Sequence, residues 1–310
     1  MPLFEISVNK LTVVEQTNFL AEKKLQNLVE NNLQTIFNSR FVASEFVTHD
    51  PNGRIDTLAL SEDNDPVIIE YKKAASSDLI NQSLFYKSWL IKHKSDFVLA
   101  VQAKLGHQIK IEWSNVRVIC IAPNYKKYDL YAVQMMNSNI ELWSYRNYHD
   151  KLIYLEKVDL SAAGLEVDLT PSGKSTGIGT TGKKTPANKA IGLYTFDEHL
   201  KGKSQKIQDM AISLQEYILG LDTAIKEEPR KLYIAYKISQ NIVSLEIQTQ
   251  QIHIYLKLKY SEVIDPPSNL KDVSNIGHYG TGDTQLTVTT MDEVEQAKPF
   301  IDMSYHKIGG

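Results

Sequence analysis

The first 160 residues contain some segments with apolar positions at helical spacing and others with alternating or continuous apolar positions. Residues 18–37 predict an amphipathic helix, whose apolar face is formed by Leu25, Val29, Leu33 and Ile36. Further strands are predicted at 41–47, 53–60, 67–72, 116–122, 139–145 and 152–158, and helices at 78–92 and 128–135. The order α-β-β-β-α-β, followed by further alternation, predicts an α/β sandwich.

The remainder of the chain shows a different order of elements. Residues 196–225 predict one long helix, and strands follow at 232–238, 242–247, 252–258 and 284–289, with a last helix from 292. Between the two parts, residues 161–190 are rich in Gly, Ser, Thr and Lys and carry few large apolar side chains, which predicts a linker. We therefore predict two separable domains, 1–160 and 191–310, the second a smaller α+β domain.

Composition excludes several classes of protein. The 310 residues are 42% hydrophobic and 23% charged, which is ordinary for a globular protein. The net charge of −3 gives no general indication of a nucleic-acid partner. One cysteine, Cys120, excludes intrachain disulfides and zinc sites built from several cysteines. No window approaches 18 uncharged apolar residues, so no membrane partner is expected, and we expect a cytoplasmic location.

Three ionisable residues stand where strands are predicted. Glu70 and Lys72 are two positions apart and share a face of one strand, and Asp56 lies on the preceding strand of a hairpin, where it can lie opposite Glu70. Two converging carboxylates suit Mg²⁺, which prefers oxygen ligands. The alternative is that Glu70 and Lys72 are exposed on an edge strand. Against it, residues 67–69 are all apolar, which favours a strand buried on both faces.

The strings Gly53-Arg-Ile-Asp56, Ile68-Ile-Glu-Tyr-Lys72 and Gln82-Ser-Leu-Phe-Tyr86 resemble the PD-(D/E)xK nuclease superfamily, most closely its RecB-like and NucS/EndoMS-like branch. The first motif departs from the family in having Ile-Asp where Pro-Asp is usual. The resemblance implies a restriction-endonuclease-like α/β/α sandwich. It also implies that Asp56 and Glu70 bind catalytic Mg²⁺ or Mn²⁺, that Lys72 assists the nucleophile, and that Gln82 and Tyr86 belong to the active site.

Two further carboxylates are candidate metal ligands. Glu22 falls within the apolar stripe of the first predicted helix, in a place where such nucleases often supply a Glu, although a first-turn acid favoured by the helix dipole is an equally good interpretation. Glu45, on the first strand of the meander, is a weaker candidate. Glu30 is predicted to be solvated, and the acidic residues of segment 61–66 to be ordinary turn residues.

These inferences predict a bacterial, metal-dependent endonuclease that hydrolyses DNA phosphodiester bonds. Residues 192–310 resemble an uncharacterised domain that accompanies nuclease-like domains, and we expect this part to serve targeting or oligomerisation. The alternative is a non-catalytic module that keeps the nuclease fold to bind nucleic acid or protein. The sequence leaves open whether the DNA is branched, mismatched or single-stranded, and whether the protein is a homodimer.

Overall fold

The computed structural model describes residues 2–49, 52–74, 78–136, 139–158, 160 and 194–308. The predicted linker, 161–190, lies outside the described residues. So do Lys174, Lys183, Lys184 and Lys189, near which its composition predicts the first cleavage by trypsin. The described chain forms a two-stranded hairpin and two six-stranded sheets, one sheet in each half of the sequence. Among the helices of the described residues, none is both long enough and apolar enough to cross a membrane.

The N-terminal half is a mixed α/β structure. Its strands are β1 (Leu3–Ser7), β2 (Lys10–Val14), β3 (Arg40–His49), β4 (Asn52–Leu60), β5 (Pro66–Tyr71), β6 (Arg117–Ala122), β7 (Ile140–Tyr148) and β8 (Leu152–Lys157). Its helices are α1 (Glu22–Glu30), α2 (Leu33–Phe37), α3 (Asp78–Lys92), α4 (Lys94–Leu105) and α5 (Lys127–Met136). The sheet has the order β3-β4-β5-β6-β7-β8, in which β5–β6 and β6–β7 pair in parallel.

Helices cover both faces of this sheet. On one face, α3 and α4 pack Trp89 and Phe97 into a core with strand residues such as Ile68. On the other face, α1 and α2 pack Leu25 and Phe37 into a second core. Every residue of β5 is buried, as the apolar run 67–69 predicts, and the edge-strand alternative is wrong. The result is a three-layer α/β/α arrangement.

The predicted helix over 18–37 is divided in two. The Asn32 side-chain amide donates a hydrogen bond of 2.8 Å to the Leu28 carbonyl oxygen. Asparagine competes with the helical backbone in this way, so α1 ends at Glu30 and α2 begins at Leu33. The pattern analysis also missed β1, β2 and α4. In α4 only Phe97 and Val101 are buried, which is too few to give a helical stripe.

The C-terminal half is an antiparallel sheet with helices packed on it. Its helices are α6 (Phe196–Leu200), α7 (Gln205–Leu221) and α8 (Met291–Lys307). Its strands are β9 (Lys226–Pro229), β10 (Ile234–Lys237), β11 (Asn241–Ile247), β12 (Ile252–Leu256), β13 (Leu270–Asp272) and β14 (Thr284–Val288), in the order β13-β14-β12-β11-β10-β9. The long helix predicted over 196–225 is broken where Gly202 adopts a φ of 76° and Ser204 caps α7.

The acidic turn between β4 and β5, residues 61–65, is buried against the C-terminal half. Arg230 contacts Asp65 at 2.6 Å and Asp63 at 3.4 Å through its Nη2 atom. The Tyr233 hydroxyl donates to Asp63 at 2.5 Å, and Lys257 lies 2.6 Å from Glu62. These acids are therefore not ordinary solvated turn residues, because they join the two halves through charged and hydrogen-bonded groups.

Candidate active site

The candidate site lies where the β4–β5 ladder ends. The antiparallel register runs from Leu60↔Pro66 to Thr57↔Ile69, so the next positions along are Asp56 and Glu70. At these positions side-chain carboxylates, and not backbone carbonyls, accept the strand N–H groups. The Asp56 backbone N–H donates to Glu70 Oε1 at 3.1 Å, and the Tyr71 backbone N–H donates to Asp56 Oδ2 at 3.1 Å. This reciprocal pair fixes both carboxylates side by side.

Each carboxylate uses one oxygen in this pair. Glu70 is 0% exposed, and its second oxygen, Oε2, is buried without a hydrogen-bond partner among the described residues. Burial, followed by repulsion from Asp56, raises the pKa of Glu70 well above its ordinary value. Burial also raises the pKa of Asp56, against the opposing effects of the Tyr71 N–H and the Lys72 charge. A cation at this point would offset both effects.

Lys72 follows directly after β5. Its backbone N–H donates to the Ile121 carbonyl oxygen at 2.9 Å, and its Nζ lies 3.4 Å from Glu22 Oε1. The other Glu22 oxygen accepts the Lys73 backbone N–H at 3.1 Å. The positive charge of Lys72 opposes the burial that raises the pKa of both Asp56 and Glu70. Glu22 and Lys72 thus lie at the same end of the sheet as the carboxylate pair.

Glu45 lies near the pair but is held by cations. It has a φ of 53° within β3, and the register of β3 against β4 is irregular in this strand. Lys23 Nζ lies 2.8 Å from Glu45 Oε1, and Arg54 forms a second ion pair with the other carboxylate oxygen. The negative charge of Glu45 contributes to the raised pKa of Asp56. A metal ligand role for Glu45 would therefore require exchange of these ion pairs.

Gln82 and Tyr86 meet on α3. The Gln82 side-chain amide donates to the Tyr86 hydroxyl at 3.0 Å, and the same hydroxyl accepts the Arg54 backbone N–H at 3.1 Å. Tyr86 also lies against Gly53, where an added Cβ would come within 2.9 Å of the tyrosine ring. The aromatic side chain therefore packs on the stretch of β4 that leads to Asp56, which explains the need for glycine at position 53.

Gln26 and Glu30 were missed by the sequence interpretation. Gln26 is 3% exposed, and its amide donates to the Asp56 carbonyl oxygen at 2.7 Å and to Glu30 Oε1 at 2.9 Å. Glu30 also accepts the Thr57 hydroxyl at 2.7 Å, so the expectation that it is solvated is wrong. The available signal was the position of Gln26 beside Leu25 on the buried face of α1.

The lone cysteine is not available as a ligand. Cys120 on β6 is the register partner of Glu70, and its thiol lies 3.2 Å from the Ser83 hydroxyl. Burial raises the pKa of Cys120 to about 12, so the thiol is protonated at neutral pH.

The donor set fits a small, hard divalent cation held by few protein ligands. In the parts of the chain that the structure describes, no group of three or more His, Cys, Asp or Glu side chains is arranged to hold a metal ion. The carboxylates of Asp56 and Glu70 nevertheless fit Mg²⁺ or Mn²⁺, because a buried carboxylate oxygen lacks a donor beside a second carboxylate. Mg²⁺ commonly uses one or two protein carboxylates and retains several waters.

The fold and site define an α/β protein with a buried carboxylate pair at the end of a central strand. Over 305 residues the chain is 31% identical to an uncharacterized protein of Haemophilus influenzae, and the match covers 97% of this chain and 98% of that protein. The chain belongs to the same family as this protein. Residues 196–307 match DUF5655, a domain of unknown function, which confirms the expectation of an uncharacterised C-terminal domain.

Two solved structures are similar to part of the chain. The EndoMS-dsDNA2 complex has 15% identity and a TM-score of 0.25, over 43% of this chain and 50% of that one. A repair endonuclease from Pyrococcus abyssi has 18% identity and a TM-score of 0.24, over 42% of this chain and 50% of that one. The match therefore spans about half the length of each structure.

Proposed function

We propose that the N-terminal half is a metal-dependent endonuclease that hydrolyses DNA phosphodiester bonds at Asp56, Glu70 and Lys72. One observation carries this proposal. Asp56 and Glu70 each accept a strand N–H with one oxygen, and the second Glu70 oxygen is fully buried with no donor among the described residues. An anionic oxygen in this environment is costly without a cation.

The chain's own residues would have distinct roles at such a site. Asp56 and Glu70 would hold Mg²⁺ or Mn²⁺, which when bound would supply positive charge to a phosphate oxygen and acidify a water. Lys72 carries its charge close to both carboxylates and would orient or stabilise the attacking hydroxide. Gln82 and Tyr86 would act as positioning residues, because the tyrosine hydroxyl holds the backbone of β4 two residues before Asp56.

Glu22 would act through Lys72. Its carboxylate contacts the Lys72 ammonium and the Lys73 N–H, so it fixes the segment after β5 against α1. The ordered resemblance of three motifs to PD-(D/E)xK nucleases supports the same proposal. The C-terminal half would then select the DNA or a second protein chain.

The test is cleavage of a panel of DNA and RNA structures with Mn²⁺ or Mg²⁺. Wild type is expected to cut DNA, and Asp56→Asn, Glu70→Gln and Lys72→Ala are each expected to lose about 100-fold or more. Asp96→Asn and Lys92→Ala, on α4 and α3, are matched controls that change the same charges away from the site. Control variants should cut at the wild-type rate.

A second readout does not depend on activity. Mn²⁺ should raise the Tm of wild type more than that of Asp56→Asn, because a ligand that binds only the folded state stabilises that state. Equal shifts in both proteins would contradict a metal at Asp56. Wild type that binds nucleic acid but cuts no member of the panel would refute the endonuclease and favour the non-catalytic alternative.

A further inference from the structure

The N-terminal hairpin has one wholly apolar face. In its antiparallel register Phe4 lies opposite Val13 and Ile6 lies opposite Leu11, so these four side chains project from the same face. Their residues are 43%, 57%, 79% and 61% exposed, respectively. The strands of this hairpin pair only with each other in the described sheets. Among the described residues, this apolar face is therefore left largely uncovered.

The opposite face has a different character. Towards the tip it carries Glu5, Ser7, Lys10 and Thr12, while the half-buried pair Leu3 and Val14 lies at its base. Val8 stands at the tip, where it is 95% exposed, and it has a positive φ, as does Asn9. Turns of this kind favour Gly, Asn or Asp, so turn chemistry does not explain a valine. An exposed apolar face of this kind is favoured only where another surface covers it.

Charge argues against nucleic acid or an acidic membrane as the cover. Residues 2–16 contain two glutamates and one lysine, a net charge of −1. Phosphate binding requires a local excess of Lys and Arg, and attachment of an amphipathic segment to anionic lipid requires the same. An apolar face with a weakly acidic surround instead suits another apolar protein surface.

We propose that this face is a homodimer interface, on which the hairpins of two copies of this chain pack face to face. A twofold axis places the same apolar patch on both sides, so the face is complementary to itself. Complete burial of the exposed areas of these four side chains and Val8 would remove about 500 Å² per copy, or about 1,000 Å² in total, which reaches the lower bound for a biological interface and fits a weak, reversible dimer.

The rest of the chain holds the base of the hairpin in place. The Thr17 N–H donates to the Asn147 carbonyl oxygen at 2.8 Å, and the His149 N–H donates to the Thr17 hydroxyl at 3.1 Å. These bonds fix the hairpin to the end of β7, next to the exposed Leu152 at the start of β8. The interface therefore projects from a fixed point, which reduces the entropy lost on association.

The test is the oligomeric state of the full chain, measured by sedimentation and light scattering at up to about 100 μM, well above a micromolar Kd. Wild type is expected to be a dimer. Leu11→Lys and Ile6→Lys place a charge in the apolar face and should raise the dimer Kd by about 100-fold or more. Thr12→Lys adds the same charge one residue away, on the opposite face and across from Glu5, and should remain dimeric.

A second measurement does not depend on disrupting the fold. The native cysteine is buried, so Leu11→Cys and Thr12→Cys each introduce one accessible thiol. A short bis-maleimide should join two copies of Leu11→Cys much faster than two copies of Thr12→Cys. Monomeric wild type, a dimer unaffected by Leu11→Lys, or equal cross-linking of the two cysteine variants would each overturn the proposal. If wild type is monomeric and Leu11→Lys loses DNA binding, the apolar face contacts nucleic acid and not a second copy of the chain. This test uses neither Asp56 nor Glu70, so its failure leaves the proposed nuclease activity untouched.

Discussion

Replacement of Arg230 by alanine should destabilise the whole protein severely. Arg230 is 8% exposed, and its Nη2 atom lies 2.6 Å from Asp65, 3.0 Å from Glu228 and 3.4 Å from Asp63. Asp63 has other donors, because Tyr233 and Asn241 also hydrogen-bond to it. Among the described residues, the Arg230 guanidinium is the cation within ion-pair distance of Asp65, and Asp65 is only 1% exposed.

The magnitude follows from leaving a buried charge without its partner. Removal of one member of a buried ion pair typically costs about 3–5 kcal/mol, far more than loss of an exposed pair. In a chain of this size each kcal/mol lowers the Tm by about 2–4 °C. Arg230→Ala should therefore lower the Tm by about 10 °C. Arg230→Lys keeps the charge but loses the planar guanidinium, so its Tm should lie between the Tm of wild type and that of Arg230→Ala.

The assay is differential scanning calorimetry of both variants beside Lys110→Ala. Lys110 pairs with Glu112 at 3.3 Å, but the two side chains are 87% and 48% exposed, so this control should stay within about 2 °C of wild type. Arg230→Ala within the same 2 °C would refute the reasoning, because the acidic turn would then be solvated or satisfied without the C-terminal half.

The remaining predictions concern pH and backbone packing. Burial raises the pKa of Asp65 from 3.8 to about 6, so its contribution to stability is complete below pH 3.8 and is lost as the pH rises through 6. The Tm of wild type relative to Asp65→Asn should therefore fall between pH 4 and 7, and a constant difference would contradict this. Gly53→Ala would place a Cβ 2.8 Å from the Thr48 hydroxyl and 2.9 Å from the Tyr86 ring, and should cost about 1–3 kcal/mol in chemical denaturation. Gly220→Ala, where no atom lies within 4 Å, should be neutral or stabilising; equal losses in both variants would show that crowding at Gly53 is not the cause.

The carboxylate pair could be predicted from the sequence because its local context is unusual. The apolar run 67–69 indicates a strand buried on both faces. A carboxylate at its end, Glu70, is therefore costly unless a partner or a ligand offsets its burial. A short polar turn then sets the hairpin register that brings Asp56 alongside. The sequence does not reveal that each carboxylate replaces a ladder hydrogen bond, because that depends on where the two strands separate.

The acidic turn could not be predicted in the same way. Glu62, Asp63 and Asp65 stand among polar residues, where charge is expected to be solvated. Their partners lie between 165 and 195 positions further along the chain, at Arg230 and Lys257 among others. No local period or spacing relates such distant residues, so their burial follows only from the assembled fold.

The N-terminal hairpin is intermediate between these two cases in how far its contacts can be predicted from the sequence. Its alternation is a short local pattern that places Phe4, Ile6, Leu11 and Val13 on one face, yet alternation alone indicates only that one face is apolar and does not identify what covers it. At Glu70 the covering residues are supplied by the neighbouring strands and helices of the same chain, and at Asp63 by the C-terminal half. At Phe4 and Ile6 the described residues supply only partial cover, and the two residues remain 43% and 79% exposed. An alternating pattern that predicts burial, on a face that the described residues leave exposed, supports the proposed contact with a second copy of this chain.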